Sequence, residues 1–299
     1  MALLIPDARR GLLGGLIDDA TLLRPSAPTV EHAVAAYRAL RATENGWMVG
    51  RLVVPVSRLE ELAGVLVGTL RSGDASVPIV AAFDGETASN ASIAAAFHAT
   101  LDPAARIEVV HLGHQSTESI DGIVDAVVAG NGIHRGALSM AAVPLGMPAS
   151  GVMDAISAAR TDGLRPVGAW IDLGSNVFDP AALSSVIRAC VRSSVPFTVA
   201  FDHLPAVTHA DRSGGGHEYG VLNLLAASLQ ADTRQLEAAA VLADSGPQTY
   251  TIGFGGLARN GEIIHSRRSI GVDRSPLVSL ATREPLDTIS ALGDLDRPS

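Results

Sequence analysis

Residues 201–220, FDHLPAVTHADRSGGGHEYG, hold three of the chain's nine histidines. His203, His209 and His217 alternate there with Asp202, Asp211 and Glu218. Imidazole titrates near neutral pH, and a neighbouring carboxylate can orient it, so Asp202-His203 offers an acid–base pair. The same segment offers nitrogen and oxygen donors for a metal. Their spacing matches no tight motif, and the expectation is that no metal is bound. Gly214, Gly215 and Gly216 lead toward a helix, whose free N–H groups attract anions. Arg212, and Arg259 after the GFGGL turn, would add charge to an anion site, with Gly255 and Gly256 in that turn. The alternatives are a solvated polar loop and local turn bonds from Asp202. As a polar glycine-rich insertion after a strand, residues 208–217 are also expected to move and close over a ligand.

Other candidates follow from place. Asp172, in AWIDLGSN, ends a β-rich run, and facing Asp202 it would form a carboxylate pair with one raised pKa. An Asx turn ending the strand is the alternative. Arg24, Arg58, Asp84, His114 and Asn176 fall after similar runs and are read as substrate-binding; the same place along the chain also picks out Asp18, Asp19, Ser57, Glu86, Gln115 and Ser175, with no role assigned. His98 and His111 are read as structural.

These positions acquire meaning from a beat in the chain. Apolar runs recur at 47–56, 77–83, 106–113, 137–146, 165–174, 195–202 and 249–256. Continuous apolar character suits strands buried on both faces, as in parallel sheets. Helical patterns fill the gaps. Thr29 is a cap candidate for the first, and Ser57 with Glu60 forms a capping box for the second. Stepping back one beat reaches LIDDATLLRP, residues 16–25, as a weak first strand. Eight βα units over this length predict a (β/α)8 TIM-type barrel, with 16–23 lying between 48–55 and 249–255. The whole chain, 1–299, is read as one domain with a C-terminal extension from about 273. An open doubly wound sheet is the alternative fold. In a barrel the active site lies at the carboxyl ends of the strands, and that rule selected the residues above.

Composition narrows the chemistry. All 22 basic residues are arginine. Without lysine there is no Schiff base on this chain, no pyridoxal phosphate attachment and no P-loop lysine. No cofactor is expected. Net charge is −9, which argues against nucleic acid as partner. The lone Cys190 cannot form a disulfide within the chain and reads as a buried helical residue. No apolar run reaches the length of a membrane span. Arg9 and Arg10 precede a short apolar stretch that Asp18 and Asp19 interrupt, so no export signal and a cytoplasmic location are expected. The partner expected is a small molecule, with self-association left open.

The pieces LLGGLIDDATLLRP, WMVGRLVVPVSRLEEL, VPFTVAFDH, GVLNLLAAS and EPLDTISALGDL together resemble a family of uncharacterised bacterial proteins of TIM-barrel type. The resemblance is spread over most of the chain. Members carry Gly-Val-Lys-Leu-Arg-Thr-Gly-Gly where this chain has GAWIDLGS. They carry Phe-Lys-Ala-Thr-Ala-Gly-Leu-His-His-Pro where it has FTVAFDHLPA. Trp170, Asp172 and Thr198 therefore stand at basic positions, and Leu204 and Pro205 at the histidine pair. The resemblance implies a diverged member with a changed substrate, or a barrel without catalysis. Two function classes follow: a lyase- or isomerase-type enzyme acting on a small polar or phosphorylated metabolite, and a non-catalytic binding or scaffold subunit.

Overall fold

The computed structural model describes residues 8–69, 75–101, 103–113, 136–143, 149–161, 167–174, 179–210, 217–231, 237–246, 249–253, 255–266 and 276–295. Eight parallel strands close a barrel: β1 (Ile17–Asp19), β2 (Val49–Pro55), β3 (Val77–Ala82), β4 (Ala105–His111), β5 (Leu138–Ala142), β6 (Val167–Gly174), β7 (Phe197–Phe201) and β13 (Leu277–Thr282). The short β1 closes the ring, with Asp18 opposite Ala281 on one side and Ile17 opposite Val49 on the other.

Helices follow the strands. They are α2 (Val30–Arg41), α3 (Leu59–Thr69), α4 (Thr87–Leu101), α5 (Ala149–Thr161), α6 (Pro180–Arg192), α7 (Val221–Gln230), α8 (Glu237–Ala243) and α9 (Pro285–Asp294), with α1 (Ala8–Leu13) ahead of β1. Thr29 caps α2 by accepting the His32 N–H at 3.2 Å. Asp179 caps α6, with Pro180 in its first turn. Alternation along the strands separates two cores. Outward residues such as Val54, Ile79 and Val199 pack under the helices. Inward residues, among them Val53, Val80, Trp170 and Ala281, fill the lumen. Four alanines there (Ala20, Ala82, Ala200 and Ala281) leave room for the Trp170 indole, which stacks on His111 at 4.4 Å. His98 lies on α4 and His111 ends β4. Cys190 is buried against Met153, and burial pushes its thiol up to about 12.

The eighth strand differs from the sequence expectation. Tyr250–Gly253 is β10 of a separate antiparallel sheet with β11 (Gly256–Arg259) and β12 (Glu262–Ser266). The strand beside β1 is β13, inside the segment read as a C-terminal extension. Burial explains the difference: β13 is buried along almost its whole length, whereas β10 and β12 are largely exposed. Even spacing pointed to the earlier run because the seventh unit carries α7, α8 and this extra sheet before the chain re-enters the barrel.

The extra sheet packs against α1, at the amino-terminal end of β1, and so away from the mouth. Gly255 and Gly256 sit in its β10–β11 turn, and Gly256 needs its φ of 127°. Arg259 is turned to Asp244, whose Oδ2 accepts from Nη2 at 2.8 Å and Nε at 3.1 Å. The expected anion site therefore loses both glycines and Arg259.

Candidate functional site

The exits of β7, β13 and β1 build one corner of the mouth. After β7, Asp202 and His203 meet Arg283 and Glu284 after β13. Arg283 Nη1 lies 2.5 Å from Asp202 Oδ1, an ion pair. His203 Nδ1 lies 3.0 Å from Glu284 Oε2. Two consecutive residues on one exit thus pair with two consecutive residues on the next. The backbone beneath them is pinned: Thr288 donates to Leu204 O at 2.8 Å, and Glu284 N–H donates to Thr282 Oγ1 at 3.1 Å. Glu284 precedes Pro285 as the N-cap of α9, yet its side chain does not cap; it turns to His203.

The network continues on both sides. Arg24, in the loop after β1, lies 3.6 Å from Glu284 Oε1. Glu218 Oε2 lies 3.8 Å from His203 Nε2 and 2.9 Å from His209 Nε2. Glu218 and His209 face each other on a short antiparallel pair, β8 (His209–Ala210) with β9 (His217–Glu218). That pair stands on a buried foot. Thr208 N–H donates to Asn223 Oδ1, and Thr208 Oγ1 donates to Leu242 O. Residue 208, the start of the expected lid, is thus fixed. The tip at 211–216, with Asp211, Arg212, Gly215 and Gly216, lies outside the described residues, as do His114, Gln115, Ser175 and Asn176.

The other expected residues divide. Asp172 lies opposite Ala200 on the neighbouring strand and alternates with Trp170, so it faces the lumen below the same rim. Asp84 accepts both the N–H and the hydroxyl of Ser57, linking the β2 and β3 exits; Ser57 therefore does not cap α3. Arg58 donates to both oxygens of Glu61 and to Pro28 O, stapling α2 to α3 rather than reaching the mouth. That bonding by Arg58 holds the Glu61 carboxyl below its usual range. Asp18 faces the lumen, with Oδ1 accepting the Arg51 N–H at 2.7 Å. Thr198 bonds Ser279 at 3.0 Å inside the barrel. Trp170 and Thr198, which stand where the resembled family has basic residues, are thus neutral interior side chains.

Sequence reading missed Glu284 and Asp287. Ligand atoms of His203, Glu284 and Asp287 lie within 4.8 Å of one another, a set able to hold a divalent cation. Two charges oppose a cation there: the Arg24 guanidinium and the positive N-terminus of α9. Glu-Pro-Leu-Asp was the available signal, an acid-rich helix start, which by itself reads as capping.

A groove of about 500 Å³ opens beside this corner, between α2 and α9. Asp19, Thr21, Arg24, Glu284 and Asp287 line its polar end. Burial raises the Asp19 carboxyl above its ordinary value of 3.8, against the opposing pull of Thr21 and Arg24. A raised folded-state pKa gives stability that is complete below the unfolded value and is lost as pH rises through the folded one. Asp19→Asn removes that loss while keeping an acceptor for Thr21. Its stability relative to the parent should therefore rise as pH is raised from the ordinary value of 3.8 into the range above it. Urea midpoints measured across that range check this, and a constant gap would contradict it.

No protein-family model matches the sequence. No curated protein matches it either. Among solved structures, the chain shows a likeness to lysine/ornithine decarboxylase complexed with cadaverine from Vibrio vulnificus. Identity is 11%, the TM-score is 0.39, and the match covers 65% of this chain and 48% of that one. This chain thus spans about half of that protein's length, and a likeness this low carries no argument about its chemistry. Among the described residues, no helix is long and apolar enough to cross a membrane.

Proposed function

We propose that this barrel is a small-molecule enzyme of the lyase or isomerase type, working by proton transfer at His203. The observation that carries the reading is the His203–Glu284 pair at 3.0 Å, at the strand ends where barrels do chemistry. Glu284 accepts the Nδ1 proton and so fixes the tautomer, which leaves the Nε2 lone pair to take a proton from substrate. Glu218, 3.8 Å from Nε2 and anchored by His209, then faces the imidazolium that forms. Asp202 is held by Arg283 and positions the loop, and Asp172 adds a carboxylate from below. The phosphorylated-metabolite expectation keeps less support. Its glycines at 255–256 lie at the other end of the barrel, and the described rim bears more carboxylates than arginines.

A test free of substrate knowledge is deuterium incorporation. A pool of small metabolites is incubated with the protein in deuterium oxide and examined by mass spectrometry. Wild type should label or convert at least one compound, and His203→Gln should slow that reaction by about a hundredfold. Glu284→Gln should slow it less and shift its pH profile. If no compound is labelled or converted, or if His203→Gln matches wild type, the enzyme reading falls and the binding-subunit reading replaces it.

A further inference from the structure

The groove between α2 and α9 is not used by the proton-transfer reading, though Glu284 belongs to both. Its two ends differ in chemistry. Helix flanks form one end, with exposed Ala36, Ala39 and Leu286 over the buried Leu40. Leu286 is 61% exposed and lines the groove with Ala36 and Ala39. The polar end sets the carboxyls of Asp19, Glu284 and Asp287 against the single guanidinium of Arg24. Arg24 is engaged by Glu284, and Glu284 is shared with His203. Asp287 forms no ion pair among the described residues, so with Glu284 it outweighs Arg24, and the end keeps a net negative charge for a single ammonium, reduced but not cancelled by the positive start of α9. Asp19 is only 3% exposed, which fixes its carboxyl in place at the groove wall.

We propose that this groove binds a small organic ammonium compound, with its cationic head at Asp287 and Glu284 and a short hydrocarbon part against Ala36, Ala39, Leu40 and Leu286. The volume, about 500 Å³, falls within the range of small-molecule sites. A charged head gains charge-assisted hydrogen bonds from carboxylates that are already in place. The tail covers apolar surface that the fold leaves in water. This inference deepens the proposed function by naming a ligand class, with the groove leading to the His203 corner. It is read out by binding alone, so it stands or falls separately from the proton transfer.

The probe is n-hexylammonium, with 1-hexanol and hexanoate as equal-length controls, followed by amide and methyl NMR shifts. The amine should give saturable shifts at Asp19, Thr21, Arg24 and Leu286, with affinity at least about tenfold above the alcohol and above hexanoate. Ala39→Trp fills the groove from an exposed helix face and should abolish those shifts. Asp287→Asn, at an exposed site, should weaken the amine by about tenfold and leave the alcohol unchanged. It supplies an independent variant if Ala39→Trp fails to fold. Binding retained in His203→Gln, beside lost deuterium exchange, supports the groove and the catalytic reading together. Binding with no deuterium exchange in any protein supports the groove and removes the catalytic reading. The inference is overturned if the alcohol or hexanoate binds as well as the amine, or if both variants leave the shifts intact. It is also overturned if zinc or manganese moves these signals while the amine does not, which would make His203, Glu284 and Asp287 a metal centre.

Discussion

Asn223→Ala is expected to lower stability by about 3–4 kcal/mol, with a fall in the melting temperature of roughly 10 °C. Asn223 lies on α7 with no exposed surface. Its Nδ2 donates to Val241 O at 2.7 Å and to Asp244 O at 2.8 Å, while Oδ1 accepts the Thr208 N–H at 2.9 Å. One amide therefore satisfies the foot of the 209–218 strand pair and the C-terminal end of α8. Truncation leaves the Asp244 carbonyl and the Thr208 N–H without partners, while Val241 O keeps the Tyr250 hydroxyl at 3.1 Å, and each orphaned group costs about 1–3 kcal/mol. Alanine improves helix propensity, which offsets only a few tenths of a kcal/mol. Urea unfolding measures the loss. A cost below about 1 kcal/mol would mean that water or another side chain takes over these bonds. Because Thr208 holds the loop that carries His209 and Glu218, the variant should also lose order at those residues before the barrel melts.

Arg51→Met is the second large effect, about 3 kcal/mol near neutral pH. Arg51 enters the lumen from β2. Its Nη1 lies 3.5 Å from Asp18 Oδ2 and its Nε 3.0 Å from Glu108 Oε2. The β4 register slips at Glu108, which brings that carboxylate within reach. Burial already raises the Asp18 carboxyl, and Arg51 is the chief opposing influence. Removing the guanidinium leaves Asp18 buried without an ion-pair partner, keeping only its bonds from the residue-51 N–H and Ser279, so its folded-state pKa rises further. The sign follows from linkage: the added cost is present at high pH and fades as pH falls through the raised folded-state value, and below the ordinary value of 3.8 Asp18 is neutral in both states. Chemical denaturation between about pH 5 and about pH 8 should show the deficit of Arg51→Met growing with pH. A deficit independent of pH would show that packing of the Arg51 stem, not its charge, supports the barrel.

Local pattern carried much of this protein. Apolar runs buried on both faces marked β2 to β7, within about two residues except at the end of β5, since each strand must cover helices outside and fill a lumen inside. Placing the candidate residues at the strand ends, with His203, His209 and Glu218 in one segment, needed only that pattern. What the pattern could not supply were partners set by closure. β13 was passed over because even spacing ranks nearby runs first, while pairing with β1 depends on which run can be buried on both faces. Arg283, Glu284 and Asp287 follow that strand, so the partners of Asp202 and His203 were hidden with it. The same cause moved Gly255, Gly256 and Arg259 from the mouth to a sheet at the far end. Asn223 and Arg51 sat in segments that read as plain helix and plain strand. Their weight comes from buried carbonyls and a buried carboxylate that only the folded chain brings to them. The sequence alone determined the repeat and the polarity of the barrel, because both follow from periodic burial along the chain. Only the tertiary structure decided which charges face each other, because ion pairs and hydrogen bonds form between strand exits that are neighbours in the ring and distant in the chain.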